Sequence, residues 1–167
     1  MGIEDRPKKP SSRELQDARA EQTPVFQKLK SVCERFGLEA PVPAGGPRGN
    51  TFLINGVICR VHLATRLYRH PRSVAATFTH VHAPVITSES REEFLVIAVD
   101  INQDDVVEDT TYFIPRQRYI EAGLHTAINV PVGERCEGAR TSRLPFDEFK
   151  NEKGANFFKR YAELKNQ

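Results

Sequence analysis

The chain has 167 residues, with 24 Lys and Arg against 22 Asp and Glu, three Cys and no Trp. That length suits one domain with its own core, three cysteines exclude a disulfide scaffold, and no apolar run approaches the ~20 residues of a membrane-crossing helix. No apolar leader follows Met1, so the expectation is a reduced, cytoplasmic single domain over residues 11–167 behind a flexible lead-in, residues 1–10.

Ser11 to Glu14 reads as a capping box, the Ser11 hydroxyl accepting from the Glu14 amide and the Glu14 carboxylate reaching back. A short helix follows, toward Gln22. Thr23-Pro24 is an N-cap with proline in the first turn, and Val25, Phe26, Leu29, Val32, Cys33 and Phe36 share one face of a second, amphipathic helix. Gly37 suits its left-handed C-terminal position, and Cys33 falls on the core side. The Pro- and Gly-rich stretch Ala40 to Gly49 predicts a loop.

Asn55-Gly56 between the apolar runs 51–54 and 57–65 predicts a hairpin with a type I′ turn. On its second arm Val57, Cys59, Val61 and Leu63 point one way, and Ile58, Arg60, His62 and Ala64 the other. A polar excursion from Arg66 to Arg72 leads to a third strand, Ala75 to Ala83, with Phe78, His80 and His82 on one face. Phe94 to Val99 is an unbroken apolar run, the pattern of a central strand buried on both sides. An acidic connection, Asn102 to Thr110, joins it to a strand at Tyr112 to Ile114. A short helix to Ala122, a strand from Ala127 to Val132 and a polar loop follow. The C-terminus predicts helix, with Gly154 as a break. The fold class expected is α/β (α+β with a mixed sheet): N-terminal amphipathic helix, three-strand meander, central strand pair, short helix and C-terminal helix.

Charge is distributed unevenly. Residues 40–88 hold five arginines and no acid, whereas 89–111 hold one arginine and eight acids. No lysine occurs between Lys30 and Lys150, so the middle of the chain is cationic through arginine alone, the side chain that forks phosphates bidentately. His62, His80 and His82, placed on strands expected to be neighbours, form a set that could attract a transition metal, but Arg60 beside His62 repels a dication, and no metal site is expected. Cys59 alternates onto the apolar face, and Cys136 sits in a polar loop without a metal-spaced partner.

The order of elements, the hairpin Phe52 to His62, and the pair Glu93 to Val99 and Tyr112 to Arg116 resemble the core of the restriction-endonuclease-like, or PD-(D/E)xK, nuclease superfamily over about residues 24–132. That resemblance implies an Asp and a Glu binding Mg²⁺ and a Lys acting on the attacking water. Laid onto this chain, the Glu position falls on Arg60, the Lys position on His62 and the Asp position near Asn50 or Thr51. The expectation is therefore a nucleic-acid-binding or interaction protein on a nuclease-like core with a degenerate catalytic set. Arg60, His62, Arg66, Arg69 and Arg72 would face the phosphates of DNA or RNA, with Arg116 and Arg118 outlying. One alternative is an active Mg²⁺-dependent endonuclease with relocated carboxylates drawn from Glu89, Glu92, Glu93 or Asp100. Another is a protein-interaction module whose acidic stretch meets the basic block of a second copy. Enzymatic activity stays open; no cofactor is expected unless the nuclease is active, and then Mg²⁺.

Overall fold

The computed structural model describes residues 9, 11–45, 49–70, 73–133 and 146–167. Helix α1 (Ser12–Glu21) opens with the capping box in place: the Glu14 amide donates to Ser11 Oγ at 3.1 Å, and the Ser11 amide to Glu14 Oε2 at 3.1 Å. Helix α2 (Pro24–Phe36) is capped by Thr23, whose Oγ1 accepts from the Phe26 amide, and ends at Gly37 with φ +68°. The sequence dictates both ends of α2, because the caps are local chemistry.

Strands β1 (Val42–Pro43), β2 (Thr51–Ile54), β3 (Val57–Ala64), β6 (Phe94–Gln103) and β7 (Val106–Pro115) form a mixed sheet in the order β1-β2-β3-β6-β7. Asn55 and Gly56 both take positive φ, 49° and 77°, as the type I′ turn requires. Strands β4 (Tyr68–His70), β5 (Ser73–His82) and β8 (Ala127–Pro131) form a second, antiparallel sheet in the order β4-β5-β8. The remaining elements are α3 (Arg116–Ala122), a 3-10 turn (Asp147–Phe149) and α4 (Asn151–Lys165). The mixed α/β class is as expected.

Three particulars differ from the sequence reading. The three-strand meander exists, but its strands are β1, β2 and β3, since Val42 and Pro43 pair with Leu53 and Phe52 inside the expected loop. Proline is tolerated there because β1 is the sheet's edge. The strand expected third, β5, leaves for the second sheet, so the strands of His62 and of His80 and His82 are not paired. The free side of β3 is taken instead by β6, running parallel, with Cys59 opposite Phe94 and Ala64 opposite Val99. An all-apolar strand needs both faces covered, and only a central place supplies that. Finally, the acidic connection is a continuation of β6 and β7, closed by a two-residue turn with Asp104 at φ 51° and Asp105 at φ 62°.

The residues of β6 alternate between two cores. Phe94 and Val96 join Leu29, Val32, Phe36, Phe52, Phe113 and Phe158 under α2 and α4. Leu95, Ile97, Val99 and Ile101 join Val81, Ile128, Val130, Tyr112 and Tyr119 beneath the second sheet and α3. The layers are therefore helices, five-strand sheet, then the smaller sheet with α3. Cys33 and Cys59 lie in the helix-side core; burial, reinforced by Glu34, pushes the Cys33 thiol up to about 12, and burial raises Cys59 well above its usual value. Both are packing groups rather than nucleophiles. Cys136 lies outside the described residues.

Candidate nucleic-acid interface

Arg60 leaves β3 on the side opposite Cys59 and Val61, toward the second-sheet layer. Its Nη2 donates to Glu92 Oε1 at 2.9 Å, and Glu92 is 8% exposed. Arg116, at the start of α3, donates from Nη1 to the carbonyls of Ser90 and Glu92, fixing the loop that leads into β6. Tyr119 closes the same region by donating to the Pro84 carbonyl at 2.7 Å; burial raises its pKa, partly offset by the charge of Arg60. The position where the resemblance puts a metal-binding Glu is thus a guanidinium bound to Glu92.

Glu93 takes the other direction. Its carboxylate accepts from Tyr161 Oη at 2.8 Å, from Lys165 Nζ at 2.6 Å and from the Ile58 amide at 3.1 Å. Lys165 also donates to the Gly56 carbonyl, and Asn166 to that of Asn55, so the end of α4 is clasped to the β2–β3 turn. Sequence reasoning missed this cluster. Tyr161 and Lys165 are one helical turn apart, but nothing local says that their face meets Glu93, 68 residues away.

Burial alone would raise the pKa of Glu93. The hydrogen bonds from Lys165, Ile58 and Tyr161, together with the Lys165 charge, outweigh it and hold the carboxyl below its ordinary 4.5. With the folded pKa below the unfolded one, this stabilisation is fully present above the unfolded pKa and is lost as pH falls through the folded pKa. Urea midpoints should therefore fall from pH 7 to about pH 3 more steeply for the wild type than for Glu93→Gln. Parallel pH profiles would refute the role given to this carboxylate.

The described side chains do not fit the Mg²⁺ that the nuclease resemblance implies. Mg²⁺ wants several oxygen ligands converging in octahedral geometry. Glu92 and Glu93 diverge to different partners, Glu89 is exposed, and Asp100 faces Asp109 across the β6–β7 pair with Lys28 Nζ 3.5 and 3.0 Å from their carboxylates. Among the described residues no group of three or more His, Cys, Asp or Glu could hold a metal ion. His62 stays on the first sheet, apart from His80 and His82 on the second, and the three do not form such a group.

The arginines expected at the interface have different fates. Arg60 is bound to Glu92. Arg116 is bound to backbone, and Arg118 pairs with Glu121 and Glu148. Arg66 is exposed in the connection from β3 to β4 and forms no ion pair with a described residue. Arg69, on edge strand β4, is 46% exposed and stands 3.8 Å from Asp104 at the β6–β7 turn, a long ion pair exposed on both sides and worth little. Arg72 lies outside the described residues. His62 is half-buried on β3.

The surface that these arginines flank is only partly legible in the sequence. Thr79 and Val81 of β5 turn inward and are buried, leaving Phe78, His80 and His82 on the outer face. There they meet Tyr68 of β4: its ring lies 5.7 Å from Phe78, stacked at 23°, and 4.3 Å from His80, which is 6.0 Å from His82. Tyr68, Phe78 and His80 are half-buried and His82 is exposed. No strand of this sheet carries an Asp or Glu.

The chain matches no family model and no curated protein. Among solved structures it is similar to "The structure of a bacterial homing endonuclease: I-Ssp6803I", at 12% identity and a TM-score of 0.44, covering 95% of this chain and 100% of that one. The likeness is one of coarse architecture. No described helix is long and apolar enough to cross a membrane.

Proposed function

We propose that this protein binds nucleic acid through the second sheet and does so on a nuclease-like core that has lost the usual cleavage set. The observation that carries the reading is the acid-free second sheet, flanked by Arg66 and Arg69, with rings rather than carboxylates on its outer face. Arginines placed this way supply phosphate contacts, which give affinity and positioning without reading sequence. By sequence alone Arg72, in the same stretch but outside the described residues, is proposed with them. At the nuclease position, the Arg60–Glu92 pair occupies the carboxylate that cleavage chemistry would need.

Fluorescence anisotropy with labelled oligonucleotides across ionic strength tests this. Binding should weaken linearly in log salt, and Arg66→Ala with Arg69→Ala should make that slope shallower by roughly 1.8 on a duplex, about 0.9 for each phosphate no longer neutralised. Absent or salt-independent binding would overturn the reading. Mg²⁺-dependent cleavage by the wild type that Glu92→Ala abolishes would overturn its non-catalytic half.

A further inference from the structure

We infer that the outer face of the second sheet is a stacking platform for unpaired bases, so that the preferred ligand is single-stranded nucleic acid. The inference rests on the nucleic-acid reading above and specifies its substrate class. Phe78, His80 and His82 are alternate residues of β5, and across from them Tyr68 lies stacked on Phe78 and tilted at 41° to His80. Directly opposite them on β8 stand Pro131, Asn129 and Ala127, none of them charged, and of the three β5 rings His82 is exposed while Phe78 and His80 are half-buried. The buried faces of both strands already form core, so these rings are not needed to hold the sheet onto the molecule.

The spacing argues against a duplex. Alternate side chains on an antiparallel strand are ~6.8 Å apart. Bases in B-DNA rise ~3.4 Å per strand step and present their faces only to one another. A chain that offers one base to each ring must be drawn out and unstacked, which is the condition of a single strand. The width agrees, because a major groove admits a helix or a two-stranded ribbon, whereas this face is three strands across. Charge complements the backbone of such a ligand: no strand of this sheet carries an acid and Arg66 is exposed in the connection leading into β4, whereas Arg69, next to Tyr68, alternates to the other side of the edge strand and reaches Asp104. Rings of this kind accept any base, so the platform is sequence-tolerant and does not by itself distinguish DNA from RNA.

The test compares a labelled single-stranded thymidine oligonucleotide with a duplex of equal length, using the full chain. The single strand should bind at least tenfold more tightly. Tyr68→Ala and His80→Ala should each weaken it by roughly 5- to 150-fold, the range for removing one base–ring stack, with duplex binding unchanged. Tyr68→Phe keeps the ring and should keep the affinity, which separates lost stacking from a disturbed edge strand. Equal or tighter duplex binding, or ring variants that weaken both ligands alike, would overturn the inference while leaving phosphate-driven binding intact. Failure to bind either ligand at any salt would sink both readings. A dimer in light scattering that Tyr68→Ala dissolves would overturn the inference in favour of a second copy on this face.

Discussion

Gly154→Ala should melt the protein about 6–12 °C below the wild type, the equivalent of about 3 kcal/mol in a chain of this size. Helix propensity predicts the opposite sign, since alanine in a helix interior is worth up to ~1 kcal/mol over glycine. The sign is decided by space. A Cβ at Gly154 would lie 1.9 Å from the Phe149 carbonyl oxygen and 2.5 Å from its carbon, and backbone cannot swing away as a flexible side chain does. The close approach arises because the chain reverses from the 3-10 turn into α4 within a few residues, with Asn151 at φ 51°. That reversal is pinned from both sides. Asn151 Oδ1 accepts from the Thr111 amide at 2.9 Å, and Phe149 is buried against Phe157 with ring centroids 5.3 Å apart. Relieving the clash means releasing one of these anchors. A thermal melt followed by circular dichroism checks the prediction, and an unchanged or raised midpoint would show that the reversal can re-form without loss.

Gly154 also marks a limit of sequence reading. In the sequence it looks like a helix break; in the structure α4 runs through it without interruption, and the glycine is required by a neighbour. The features legible in advance are those whose cause lies within a few residues: the Ser11 and Thr23 caps, Gly37 at left-handed φ, the Asn55-Gly56 turn and the two-sided burial of β6. Pairing between distant strands is not legible in this way. The alternation of β5 is the same whichever sheet it joins, so its face is predictable and its neighbours are not. The same holds for charge. Among the described residues, Arg60–Glu92 and Arg69–Asp104 link the basic block to the acidic one, while Asp100, Asp109 and Glu93 are met by Lys28, Arg35 and Lys165 from the helices. The basic block is thus only partly neutralised by its neighbour in sequence, which leaves arginine beside the second sheet.

Phe94→Ala should be the costliest single truncation on the helix side of the sheet, about 3–5 kcal/mol out of a total stability on the order of 5–15 kcal/mol. Phe94 is fully buried, and Phe158 and Tyr161 meet it nearly edge-on, each with ring centroids 4.9 Å away, with Phe157 at 6.3 Å. The removed ring leaves a cavity between α4 and a central strand hydrogen-bonded on both sides, where neither wall can close in freely. The loss should spread to Glu93. Tyr161, which donates to that carboxylate, is oriented by the Phe94 ring, so Phe94→Leu and Glu93→Gln should be non-additive in a double-mutant cycle by about 0.5 kcal/mol or more. Additive losses would separate the clasp from the core. The same variants bear on function because Phe94 faces the helix layer, with the five-strand sheet between it and the ring-bearing face. Phe94→Leu should therefore lower the denaturation midpoint while leaving oligonucleotide affinity per folded molecule unchanged. A matching fall in affinity would place the binding surface on the α4 side of the molecule.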